Sequence, residues 1–153
     1  MSTESAHPNA HGARVTVTIA ARRRRNATGV VLEAGRRYRL TAEGDWSDGG
    51  IACGPSGYLS SQLPCPQGCA LALTERLRAV PSAPWFALVG MIDSDRATAF
   101  EIGAGTVLRA TRGGELVCCA NDVPAMYWTN RGTIELTVEP LEAGDGTAGP
   151  TER

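Results

Sequence analysis

Asp122, Thr129 and Asn130 are the residues of this chain whose types and spacing point to chemistry. They bring a carboxylate, a hydroxyl and an amide, seven and eight residues apart, into one loop. Folding the loop back on itself makes their hard oxygen atoms converge. Oxygen donors beside few positive charges are what a calcium ion requires. The same stretch also holds Asn121, Tyr127 and Trp128. A second reading of the same residues is structural: Asp and Asn in loops commonly close turns by accepting from nearby backbone N–H groups.

Other chemistries find little support. Both histidines, His7 and His11, lie in the N-terminal tail, which removes Ser–His and Cys–His nucleophiles and histidine-held metals from the domain. The chain has no lysine, hence no Schiff base, and no glycine-rich phosphate cradle. Asp45 or Asp48 with Asp122 forms the remaining carboxylate pair, a weak signal for glycoside hydrolysis. The chain is read as a non-enzyme.

The loop must be held by a sheet. Glu115 to Ala120 is short and apolar, and Thr133 to Glu139 alternates with period two, so a strand leads into the loop and another leads out. Further strands are expected at Arg14–Ala20, Thr28–Glu33, Arg37–Gly44, Trp85–Ile92, Ala97–Ile102 and Thr106–Ala110. Tyr38, Leu40 and Ala42 share the buried face of the third strand. Asp45 to Tyr58 reads as a long loop whose glycines let carbonyls turn toward a ligand, with Trp46 as a core plug. Leu73 and Leu77 are spaced for one short helix inside an insertion over 59–84. About eight short strands with long end loops predict an all-β, jelly-roll-type sandwich over 14–140, flanked by loose tails at 1–13 and 141–153.

Composition bounds the partners. A net charge of −1 gives no global basic field for nucleic acid, and Arg22 to Arg25 reads as an exposed turn. No run of about 20 apolar residues spans a membrane. Met1 to Gly12 carries no apolar leader, so the expected location is cytoplasmic, with release by a non-classical route as the alternative. Of the five cysteines, Cys53, Cys65 and Cys69 can pair only outside a reducing compartment. Cys118 and Cys119 face opposite sides of one strand.

Asn121-Asp122-Val123-Pro124, followed by Tyr127, Asn130 and Gly132, resembles the calcium loop of the PA-IL (LecA) galactophilic lectin family. Gly35 to Trp46, Gly54-Pro55-Ser56-Gly57 and Ala87 to Ile92 resemble other segments of that family in the same order. The resemblance implies a jelly-roll sandwich binding Ca2+, which in turn ligates hydroxyls of a galactose-like sugar. It implies metal contacts from Asp122, the Met126 carbonyl, Thr129, Asn130 and a carbonyl of the Asp48-Gly49 segment. Sugar contacts would come from Asp122 and Thr129, with Val123, Tyr127 or Trp128 packing on the ring and Gln62 or Ser61 as a second polar contact. Thr129 stands where the family has asparagine, and Arg131 adds a positive charge beside the site. Multivalency makes a homo-oligomer the expected assembly. The alternative function is a jelly-roll module that binds a protein, peptide or small metabolite without calcium.

Overall fold

The computed structural model describes residues 13–59, 61 and 77–142. Ten strands run through them: β1 (Val15–Ala20), β2 (Asn26–Leu32), β3 (Arg37–Glu43), β4 (Trp46–Asp48), β5 (Ile51–Cys53), β6 (Leu88–Ile92), β7 (Asp95–Glu101), β8 (Gly105–Arg109), β9 (Gly114–Ala120) and β10 (Asn130–Pro140). They form two antiparallel sheets. One has six strands in the order β5-β4-β10-β3-β8 with β1 also on β10, and the other runs β2-β9-β6-β7. The all-β sandwich expected from alternation is therefore present. The expected helix at 70–78 falls almost wholly outside the described residues, as do both tails for most of their length. No helix among the described residues is long and apolar enough to cross a membrane.

The count exceeds eight because the segment after Glu43 is not a plain loop. Asp48 pairs with Ile51 across Gly49-Gly50, making a two-residue hairpin of β4 and β5. Both glycines have positive φ, 53° and 101°, as the primed hairpin turns demand. Three-residue strands are too short to show alternation, which is why sequence periodicity passes over them.

Strand β10 is the longest and organises the first sheet. Its start, Asn130 to Gly132, pairs with β4, and its later part pairs with β1 on one side and β3 on the other. Gly132 sits where β10 crosses β4. A Cβ there would lie 2.9 Å from the Trp46 Cα, so only glycine permits the approach.

Between the sheets lie Tyr38, Leu40, Trp46, Trp85, Phe86, Leu88, Leu116, Cys118, Ile134 and Leu136, all buried. Trp46 packs edge-on against Phe86 at 5.3 Å and donates its indole N–H to the Phe86 carbonyl, so it is the expected core plug. A smaller cluster of Val89, Met91, Val117, Cys119 and Tyr127 covers the outer face of the second sheet. Cys118 and Cys119 thus point to opposite faces, yet both are buried because Tyr127 roofs the outer one. Cys53, Cys118 and Cys119 are free thiols; Cys65 and Cys69 lie outside the described residues.

Candidate functional site

The loop between β9 and β10 lies at one end of the sandwich. Asn121 anchors its start. The side chain is fully buried, and its Oδ1 accepts from the Val80 N–H at 3.0 Å. Its Nδ2 donates to the carbonyls of Val80, Ala83 and Pro84 at 2.9, 3.3 and 3.1 Å. Every polar atom of this amide is used to hold the 80–84 segment against the loop. Asn121 is therefore a structural clamp.

Pro124 then starts a 3-10 helix, Pro124–Thr129. Proline suits the first helical position because its missing N–H would have no partner there. The helix decides which way each side chain turns. Tyr127 points inward, 6% exposed, and donates its hydroxyl to the Ala120 carbonyl. Trp128, the next residue, is 65% exposed. Of the two aromatics expected to pack on a sugar ring, only Trp128 offers its face to solvent. Val123 is half-buried and packs against the core. Gln62 lies outside the described residues.

The oxygen donors converge behind this helix. Asp122 is buried, with Oδ1 accepting from the Val123 N–H at 2.7 Å and Oδ2 from Asn130 Nδ2 at 3.1 Å. Asn130 is fully buried, and its Nδ2 also donates to the Ala21 carbonyl at 3.1 Å. Its Oδ1 is buried and has no hydrogen-bond partner. Native interiors rarely leave such an atom unpaired without a reason. Thr129 Oγ1 donates to the Met126 carbonyl at 3.0 Å, so two of the expected donors meet each other. Gly49 lies alongside: its N–H donates to the Thr129 carbonyl at 3.4 Å.

The hairpin brings in the Asp48 side chain, whereas the lectin resemblance implies only a backbone carbonyl from the Asp48-Gly49 segment. Asn130 pairs directly with Asp48 in the sheet register, so the Asp48 side chain enters the site. Tyr58 donates its hydroxyl to Asp48 Oδ2 at 2.7 Å. Burial pushes the Asp48 carboxyl up, with the Tyr58 hydroxyl opposing the shift. Asp122 is raised to about 6, chiefly by burial and then by the Asp48 charge; the Asn130 amide and the Val123 N–H pull the other way. Among the described residues neither carboxylate forms an ion pair with a guanidinium. Arg131 instead donates to the carbonyls of Trp128 and Asn130, at 3.2 and 2.9 Å.

Two carboxylates under mutual repulsion, an unpartnered amide oxygen, a hydroxyl and a carbonyl make an all-oxygen donor set. It suits a hard cation and offers nothing to a soft one. Among the described residues no three His, Cys, Asp or Glu side chains gather into a metal cluster, at this loop or elsewhere, so the donor set here rests on two carboxylates with neutral oxygens. Asp48 and Asp122, the pair with a weak signal for glycoside hydrolysis, do act on each other, but Asp122 is buried behind the loop and Asp48 is half-buried with its Oδ2 taken by the Tyr58 hydroxyl. Gly49-Gly50 is a turn pair of the kind that closes two-residue hairpins, but the strands beside it are too short to show a period, so the segment reads as a loop.

No family model matches the chain, and no curated protein does. Solved structures do match. One described as "EclA N-terminal domain; PllA-like lectin" superposes with a TM-score of 0.60 at 16% identity, covering 82% of this chain and 95% of that one. The two share a fold.

Proposed function

We propose that this domain is a calcium-dependent carbohydrate-binding module of galactose type, and not an enzyme. The observation that carries the reading is the buried, unpartnered Asn130 Oδ1 next to the raised Asp122 carboxyl. A cation would satisfy the first and relieve the second. The fold shared with a lectin domain supports the same reading.

Asp122, Asp48 and Asn130 Oδ1 would hold the ion, completed by the Met126 carbonyl, Thr129 and a carbonyl at Asp48-Gly49. Bound calcium supplies open positions that vicinal sugar hydroxyls fill in place of water. The Asp122 carboxylate would also accept from a sugar hydroxyl. Thr129 borders that position, and the exposed Trp128 gives an apolar face for the ring. A single shallow site binds weakly, so the module works as a homo-oligomer; light scattering checks this.

Isothermal titration tests the proposal. Wild type should bind calcium and then galactose, and chelator should abolish the sugar heat. Asp122→Ala should lose both. Sugar heat that survives chelator would overturn calcium dependence.

A second reading has its own observation. Thr129 bonded to Met126, and Val123 to Asp122, already close the loop without an ion. A cavity of about 320 Å³ beside Trp85, lined also by Leu59, Arg78 and Pro84, would then take a peptide or small metabolite. Absence of any calcium heat would favour it.

A further inference from the structure

The run Arg22 to Arg25 forms the exposed connection between β1 and β2. Its conformation is pinned from beneath. Asn26 is buried; its Oδ1 accepts from the Ala20 N–H at 2.9 Å, and its Nδ2 donates to the carbonyls of Ala20 and Cys118 at 3.1 Å each. That clamp sets Arg24 and Arg25 on one wall of a cavity of about 160 Å³. Arg96 of β7 stands on the lining too, together with Asp122, Pro124 and Tyr127.

Three arginines from two separate elements therefore line one concave space. Arg96 is oriented through Nη2, which donates to the carbonyls of Leu77 and Arg78 at 3.3 and 2.9 Å. Burial raises the Cys119 thiol on the cavity lining, and the Tyr127 hydroxyl and then the Arg96 and Arg25 charges oppose that shift. Among the described residues Asp122 is the only acid on the lining, and its two oxygens are engaged with Val123 and Asn130. Among the described residues, neither Arg24 nor Arg25 forms an ion pair. A planar guanidinium matches a carboxylate or sulfate in geometry as well as charge. The cavity also adjoins the oxygen cluster, because Asp122 belongs to both and Pro124 of the same loop lines the cavity.

We propose that this cavity is an anion subsite, which takes the carboxylate or sulfate group of an acidic saccharide seated on the adjoining 122–130 loop. The saccharide part rests on the lectin reading above. A neutral galactose would fill the loop alone; an acidic sugar would reach Arg24, Arg25 and Arg96 as well.

Isothermal titration with calcium present compares galacturonate and galactose on wild type and on R24Q/R25Q, with sodium sulfate titrated separately. Both arginines are exposed, so the double variant should keep the wild-type melting temperature. Wild type should prefer galacturonate by about tenfold, the scale of charge-assisted hydrogen bonds. R24Q/R25Q should lose the preference and bind galactose unchanged. Equal affinity of wild type for the two sugars would overturn the subsite and leave neutral-sugar binding standing. Failure of both sugars to bind would overturn the saccharide proposal along with the lectin reading. Sulfate binding that R24Q/R25Q removes would in that case assign the cavity to a free inorganic anion.

Discussion

Asn121 and Asn130 bracket the same loop, and both are fully buried. Asn121 spends its oxygen and nitrogen on four backbone partners. Asn130 uses its nitrogen twice and leaves its oxygen unpaired. Burying a polar atom without a partner costs free energy, so evolution keeps it only where something outweighs that cost. The first amide serves the fold. The second donates to Asp122 and leaves an oxygen that the proposed cation would take.

The largest effect should come from Asn121→Ala. It strands the Val80 N–H and loosens the 80–84 segment, costing about 3 kcal/mol, a melting-temperature drop on the order of 10 °C. The calcium-induced rise in melting temperature should persist in that variant. A drop of only a degree or two would erase the contrast between the two amides.

Asn130→Ala should cost less without calcium, about 1–2 kcal/mol, because it removes two bonds together with the unpaired oxygen. It should also abolish the calcium response, the reverse of Asn121→Ala. Differential scanning fluorimetry with and without chelator reads both.

The carboxylates give a pH test. Folding raises Asp122 from 3.8 to about 6, so near pH 5 the folded chain holds a proton that the unfolded chain has released. Metal-free stability should therefore fall as pH rises from about 4 to about 6. Calcium should flatten that slope, since it binds the ionised form. Asp48→Asn removes the neighbouring charge and should shift the Asp122 titration downward, seen by NMR of its carboxyl carbon. An unmoved titration would mean that burial alone sets it.

Trp128→Ala should be the mildest change to the fold, within about 0.5 kcal/mol, because the ring is exposed. Its effect should appear instead as a several-fold loss in galactose affinity by titration.

Much of this architecture is legible in the sequence. Alternation in β3 put Tyr38, Leu40 and Ala42 on the inner face, where they are buried. The loop between β9 and β10 stands where its polar content placed it. The β4–β5 hairpin was not legible, because three residues cannot show a period, and with it went the placement of Asp48 opposite Asn130. Nor could adjacent Tyr127 and Trp128 be told apart. Their opposite orientations follow from the 3-10 helix that Pro124 begins, and a loop reading has no such periodicity. The arginine run was read as an exposed turn, which it is. Its convergence with Arg96, about 70 residues away in sequence, depends on sheet order that no local pattern encodes.

The most direct test is a crystal structure grown in excess calcium, with anomalous scattering to identify the ion. A calcium peak within about 2.3–2.6 Å of Asn130 Oδ1 and an Asp122 carboxylate oxygen is expected. Water at that position, or no density, would contradict a metal-binding role for the loop.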